Sequence, residues 1–310
     1  HHGHMTSTNF SHSSFVFRGF PELQRHSWLL VLPFSASYLS VLLGNSLLVH
    51  VIRSVDSLHS PMYLLICTLC IVDILIVTTI IPNMLFSLLF DWYKISLAGC
   101  LIQMFFTHFL SSVESTLLLA MALDRYLLLF TLVRSVSIMA TLVGLAGSLW
   151  FCDSNVIQHC YCDHMALVSL ACDSTERNSA MGLAVIVCFV GVDISLIFLS
   201  YIKILSVVLR AAAGEDRWKA FHTCGTHLLV MMSFYLVGSI TFLSHNLNIP
   251  IPTGVNTFMG LMYILFPATV NPIIYGVRTK EIRNGFFRIF KLRVKKIMTI
   301  KVSPAGKGQM

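Results

Sequence analysis

Six stretches of this 310-residue chain, near 27–52, 62–90, 97–123, 179–202, 224–244 and 254–277, contain no Lys or Arg and at most one acid each. Wound as a helix, a run of about 20 such residues matches the hydrocarbon thickness of a bilayer. Inside that layer water cannot satisfy the backbone, so the segment must satisfy itself as a helix. Composition agrees: 56% of the residues are hydrophobic and only 11% charged, which a soluble domain of this length would not need. The chain reads as an all-α membrane protein. A seventh stretch, 135–151, is apolar throughout, but its 17 residues sit at the bottom of the range of about 17–25 that crosses. The expectation is a seven-transmembrane helix bundle whose fourth span is abnormally short.

The formal net charge is +7, yet ten Lys and Arg fall from Arg278 onward against the single acid Glu281. That basicity is a tail and not a groove, so no nucleic-acid partner is implied. Lys and Arg in short loops mark the cytoplasmic side. They cluster at Arg53, between Arg210 and Lys219, and after Arg278, and these sites share one side only if 135–151 crosses. The N-terminus then lies outside the plasma membrane, where Asn9-Phe10-Ser11 forms the chain's only glycosylation sequon. After the seventh span, Ile282, Phe286, Ile289 and Phe290 recur at helical spacing among Arg283, Arg288 and Lys291. That pattern predicts a short basic amphipathic helix on the lipids of the inner leaflet. The chain divides into an extracellular tail (1–26), a seven-helix domain (27–277) and a cytoplasmic basic tail (278–310).

Shorter motifs narrow the class. Leu58-His59-Ser60-Pro61-Met62-Tyr63 follows the first span, Pro82-Asn83-Met84-Leu85 lies in the second, and Met121-Ala122-Leu123-Asp124-Arg125-Tyr126 closes the third. Ser200-Tyr201, Lys219-Ala220-Phe221-His222-Thr223-Cys224 and Asn271-Pro272-Ile273-Ile274-Tyr275-Gly276 come later. Together they resemble the odorant receptors, a family of seven-helix G-protein-coupled receptors. The Cys-rich segment before the fifth span and the Val277-Arg278-Thr279-Lys280 ending look like the family's class I, fish-like branch. The resemblance implies a receptor that binds small volatile or short-chain organic odorants, activates a heterotrimeric G protein of the olfactory stimulatory type, and is not itself a hydrolytic or redox enzyme.

A carboxylate in mid-membrane must find partners, and Asn45 and Asn271 are the polar groups best placed to meet Asp73, with Glu114 a second buried acid nearby. The resemblance implies a polar core able to hold a sodium ion and to rearrange on activation; a static network stapling the helices is the alternative. No other cofactor is implied. Pro272 removes one helical hydrogen bond, and by resemblance that break, with Asn271 and Tyr275, is part of the switch that Asp124, Arg125 and Tyr126 complete. The plainer reading of Arg125 is an interfacial anchor. By resemblance Cys100 pairs with Cys162 and Cys152 with Cys172, leaving Cys160 over; a metal cluster within 159–164 is the competing reading. Ligand contacts are expected from His108, Phe109 and Ser112 in the third span, His164 in the loop, and Phe242 and His245 in the sixth. A lone His on an apolar helix can equally be a packing residue. The outer sixth span has no Lys or Arg, so no carboxylate clamp is evident there.

The pattern fails at one place. Only residues 127–151 separate Tyr126 from Cys152, where the family uses about twice as many for a cytoplasmic loop, a fourth helix and the start of the next loop; helix connections need about 2–8 residues. Either the third or the fourth span is truncated, and a receptor-derived chain that no longer signals becomes a competing reading. A transporter or channel is another, but internal repeats and matched broken helices are absent.

Overall fold

The computed structural model describes residues 11–122, 127–152, 154–211, 214–247 and 249–302, and seven long spans form its bundle. The first four are α1 (Trp28–Ser54), α2 (Pro61–Phe90), α3 (Leu97–Ala122) and α4 (Leu127–Gly147). A one-turn loop helix, α5 (His164–Val168), precedes a fifth span built of α6 (Glu176–Val185), a π-helical segment (Ile186–Val192) and α7 (Asp193–Ala211). Then come α8 (Glu215–Asn246), α9 (Thr253–Arg278) and α10 (Lys280–Val302). Six of the spans are long and apolar enough to cross a membrane, and α8, 32 residues long, packs on α9 to close the bundle.

Local chemistry sets the helix ends. Pro61 opens α2 at a position whose N–H would be unpaired anyway, and Asp91, in the left-handed region at φ 52°, closes it. The outward faces carry large apolar side chains such as Leu32 and Leu43 on α1, Leu129 and Phe130 on α4, and Phe198 and Leu199 on α7, all exposed. A surface of that kind is a liability in water and natural against lipid tails. The inward faces form a core running from Phe34 through Leu69, Leu118 and Leu261 to Tyr275 and Ile282.

The structure does not confirm a shortened fourth span. α4 has 21 residues, reaching about 31 Å at 1.5 Å per residue, and it begins at Leu127, well before residue 135. Arg134 resembles a boundary charge in sequence, but a carboxylate partner inside the bundle lets the helix continue through it. α3 is described as far as Ala122 and α4 from Leu127, and the Asp124-Arg125-Tyr126 motif lies outside the described residues. The helix after the seventh span is longer than expected, at 23 residues.

The fold is also not purely helical. A three-stranded sheet in the order β2-β1-β3 caps one end, with β1 (Ser14–Phe17) antiparallel to β2 (Lys94–Ser96) and parallel to β3 (Val156–Ile157). Alternation along β1 turns Phe15 and Phe17 inward, where Phe15 meets Phe151 edge-to-face at 5.3 Å. A second apolar core under this sheet gathers Met104, Phe151, Ile157 and Leu167 with the Cys100–Cys162 bridge. The segment read as a tail thus belongs, from residue 11 on, to the folded cap.

Candidate functional site

Beneath the cap a cavity of about 90 Å³ opens between α3, α4, the fifth span, α8 and α9. α3 supplies one polar wall, because Thr107, Ser111, Ser112 and Ser115 recur at helical spacing and share a face with His108. The opposite wall is Val185, Ile186, Phe189 and Val190, contributed by α6 and the π-helical segment; π segments are often found at functional sites. Phe234, Tyr235 and Ser239 of α8 and Tyr263 of α9 close the ring.

The roof is the loop between α4 and α6. A disulfide joins Cys162 to Cys100 at the start of α3, and the Cys162 N–H donates to Gln103 Oε1 at 3.0 Å. A second disulfide joins Cys152 to Cys172 and closes the loop on itself. With Cys162 consumed in this way, a metal cluster there loses its second thiolate. Asp163 caps α5, accepting from the N–H groups of Met165 and Ala166 at 3.1 and 3.2 Å. Tyr161 and Asp163 face the cavity. The loop descends so far that a Cβ on Gly260 of α9 would lie 2.8 Å from the Tyr161 hydroxyl oxygen, so a larger residue there would have to displace the Tyr161 and His159 side chains.

The floor is a buried polar network. Arg134 of α4 donates to both oxygens of Asp193, at 2.9 and 3.0 Å, and its guanidinium lies 4.6 Å from the centre of the Phe189 ring. Asp193 is completely buried. Ser115 donates to Asp193 Oδ2 at 3.0 Å and is hydrogen-bonded to the Tyr235 hydroxyl. Four spans therefore meet at Ser115, directly under the cavity. Two further wall features bear on chemistry: the buried Thr107 hydroxyl has no hydrogen-bond partner, whereas those of Ser111 and Ser112 bond to backbone carbonyls of their own helix.

A second polar centre lies deeper. Asn271 donates to Asp73 Oδ2 at 3.0 Å, and Asn45 donates to the carbonyls of Val41 and Ala268, both at 2.9 Å. Glu114 of α3 is likewise buried, within interaction range of Asp73 and of the Asn271 side chain. One oxygen on each of Asn45, Asp73, Glu114 and Asn271 remains buried without a partner. Two carboxylates and two amide oxygens with spare lone pairs are a donor set that fits a hard monovalent cation such as sodium. Nearer the α10 end, Tyr275 is buried and its hydroxyl reaches Met121 Sδ at 3.9 Å.

The expected ligand contacts divide. His108 and Ser112 line the cavity. Phe109 does not; it stacks on Phe105 with ring centres 5.7 Å apart and packs against the main core. His164 is fully buried outside the cavity wall, and neither ring nitrogen has a partner. Burial, with a further push from His108, lowers its pKa to about 4. The side chains of Phe242 and His245, and Asp124, Arg125, Tyr126 and Asn9 altogether, lie outside the described residues. Sequence reasoning missed Thr107, Ser111 and Ser115, although their spacing with Ser112 on one face of α3 signals a polar wall. It also missed Arg134, which no periodicity singles out.

A membrane bundle of seven helices enclosing a roofed cavity over a buried polar network has the form of a heptahelical receptor. The chain superposes on the crystal structure of squid rhodopsin with a TM-score of 0.66 over 92% of this chain and 94% of that one, at 15% identity, a likeness of fold alone. The sequence matches the family model for olfactory receptors over residues 34–143 and 128–293. It is 37% identical to human Olfactory receptor 51E2 over 308 residues, covering 93% of this chain and 96% of that protein. To human Olfactory receptor 52K1 it is 38% identical over 298 residues, covering 89% and 95%. The chain belongs to the olfactory receptor family. The two family matches overlap over residues 128–143, within α4.

Proposed function

We propose that the cavity between α3, α6 and α9 receives a small organic odorant, and that its capture is relayed to a heterotrimeric G protein of the olfactory stimulatory type. The observation that carries this reading is the unpartnered Thr107 hydroxyl in a cavity of about 90 Å³ whose floor, at Ser115, joins four spans. A cavity this small takes a ligand of a few heavy atoms, held by apolar walls and one or two hydrogen bonds. His108 and Ser112 contribute to that wall. Ligand contact with α8 would shift Tyr235 against Ser115 and so bias the Arg134–Asp193 pair. In this reading the sheet end faces outward at the plasma membrane with Asn9 glycosylated, and α10 lies on inner-leaflet lipid. Asn45, Asp73, Glu114 and Asn271 hold a sodium ion that supplies the counter-charge two buried carboxylates need; Asn271, Pro272 and Tyr275 rearrange with Asp124, Arg125 and Tyr126. The test is an odorant panel read by cAMP in cells supplied with the olfactory stimulatory G protein. Thr107→Val should raise the half-maximal concentration about tenfold, one lost hydrogen bond, and an unchanged value would remove the cavity from the account.

One observation favours a second reading, a receptor that captures ligand but couples poorly. Leu127, the residue directly after Tyr126, already belongs to α4. The residues that do follow, Leu127 to Phe130, are apolar and offer a G protein no polar or cationic contact. The expected cAMP response of the chain as it stands is weak or absent. Inserting a family-length loop after Tyr126 should restore it, and Arg125→Ala should then abolish it; a robust response without the insertion would sink this second reading.

A further inference from the structure

The cavity under the roof has a sign of charge. With histidine neutral, Asp163 is the only side chain in its lining that carries a formal charge, and no Lys or Arg lines it among the described residues. α3 contains neither residue, α8 has none after Lys219, and α9 has none before Arg278. Arg134 lies below the lining and donates to both oxygens of Asp193. The Asp163 carboxylate is held in place, because the N–H groups of Met165 and Ala166 both donate to its Oδ2. The hydroxyl protons of α3 carry independent information. Ser111 donates to the Thr107 carbonyl at 2.9 Å, Ser112 to the Phe109 carbonyl at 2.7 Å, and Ser115 to Asp193 Oδ2 at 3.0 Å. A hydroxyl has one proton and two lone pairs, so these three oxygens, their protons already used, can only accept from a ligand. Aromatic rings complete the wall, with the centres of Phe234 and Tyr263 5.0 Å apart, and ring faces attract cations.

We propose that this cavity selects a small primary alkylammonium: the ammonium group donates to the Asp163 carboxylate and to a hydroxyl oxygen of α3, and a short alkyl group lies against Val185, Ile186 and Val190. The assignment rests on the odorant-cavity reading above and narrows it to one class of odorant. Three features of the wall converge on that class. An ammonium has three donors and no acceptor, the complement of a surface that offers lone pairs. Its charge meets the carboxylate, and charge-assisted hydrogen bonds are the strong ones. It keeps that charge at pH 7, since an alkylamine resembles the lysine side chain, whose pKa is about 10.4. A carboxylate of equal length would face Asp163 with like charge and bring the serine oxygens no proton. A short alcohol would find acceptors without the ion pair. Size sets the chain length: at about 30 Å³ per water-sized volume, a cavity of about 90 Å³ takes an amine no larger than propylamine or its near neighbours.

The experiment uses the full chain in phosphatidylcholine nanodiscs and three probes of matched length, propylamine, propan-1-ol and propanoate, with binding read by saturation-transfer NMR at pH 7. Propylamine should bind about tenfold tighter than propan-1-ol, the gain of a charge-assisted hydrogen bond, and propanoate should not compete. Asp163→Asn removes the charge and keeps a side chain that caps a helix equally well. It should cost propylamine about tenfold in affinity and propan-1-ol far less, a split that damage to the roof would not produce. Mapping of the Cys100–Cys162 and Cys152–Cys172 bridges checks that the roof of this variant is formed; if it is not, the preference of the parent chain among the three probes decides alone. Equal affinity for amine and alcohol, a preference for propanoate, or amine binding indifferent to Asp163→Asn with the roof intact would each overturn the ammonium assignment. In those cases alcohol binding that Thr107→Val weakens would leave the odorant-cavity reading standing. Binding of no probe, or binding of every probe unchanged by Thr107→Val, would overturn that reading and this assignment with it.

Discussion

Asp193→Ala leaves the Arg134 guanidinium inside the bundle without a counter-charge, and breaking a buried pair from one side costs about 3–5 kcal/mol. The expected outcome is loss of surface expression and a lower unfolding temperature in detergent. Replacing both partners by Leu and Met should recover much of that stability and not the signalling, since Ser115 and Tyr235 would lose the acceptor that ties them to α7. His164 makes a prediction of opposite character. Its folded pKa of about 4 lies below the ordinary histidine value near 6.5, so between these values the unfolded chain binds the extra proton. Stability contributed by the neutral ring is complete above pH 6.5 and declines as pH falls toward 4, and His164→Leu should flatten that decline in thermal-unfolding curves. Sequence hid both features for one reason. Arg134 in an apolar run reads as a helix boundary and Asp193 as an acid of unknown facing, because what makes each tolerable is a partner 59 residues away.

The fifth span owes its working register to the π-helical turn at Ile186–Val192. Deleting Gly191, whose Cβ position meets nothing within 4 Å, would restore α-helical winding and leave the residues after it close to their present facing, because a π turn accommodates one extra residue. Asp193 would then still meet Arg134, so the deletion should keep expression near the parent, whereas inserting one Ala after Val192 should turn Asp193 away by about 100° and behave like Asp193→Ala. Gly191→Ala, which keeps the register, should stay within about 0.5 kcal/mol of the parent. No hydrophobic periodicity announces a π turn in a lipid-facing run, because nearly every position in such a run is apolar. The long helices were legible for the opposite reason: transfer free energies of about 20 residues add up, and local detail averages out. The start of α4 was misjudged because that same sum places Arg134 at an end.

At the scale of the molecule, chain direction through the membrane follows from the basic clusters, and two measurements check it: glycosylation of Asn9, and protection of the tail after Arg278 from protease added outside. Modification of the tail from outside would mean that the N- and C-termini share a side. Mapping of non-reduced peptides should find Cys100 joined to Cys162, Cys152 to Cys172, and Cys160 as a free thiol. Cys100→Ser should lower surface expression, since a bridge closing a loop of this size contributes about 2–4 kcal/mol. The spans and the family motifs could be read from the sequence, whereas the cap could not, because β1 is four residues long and its partners are remote. That remoteness has a consequence for how the protein is made. Ser11 bonds to Phe151, 140 residues further along, and β1 pairs with β3 beyond it. The ribosome therefore delivers this segment well before its neighbours exist, and during synthesis it waits with Phe15 and Phe17 uncovered. A segment translated well before its partners is among the last to be seated, so the assembly step most open to chaperones and quality control is the docking of β1.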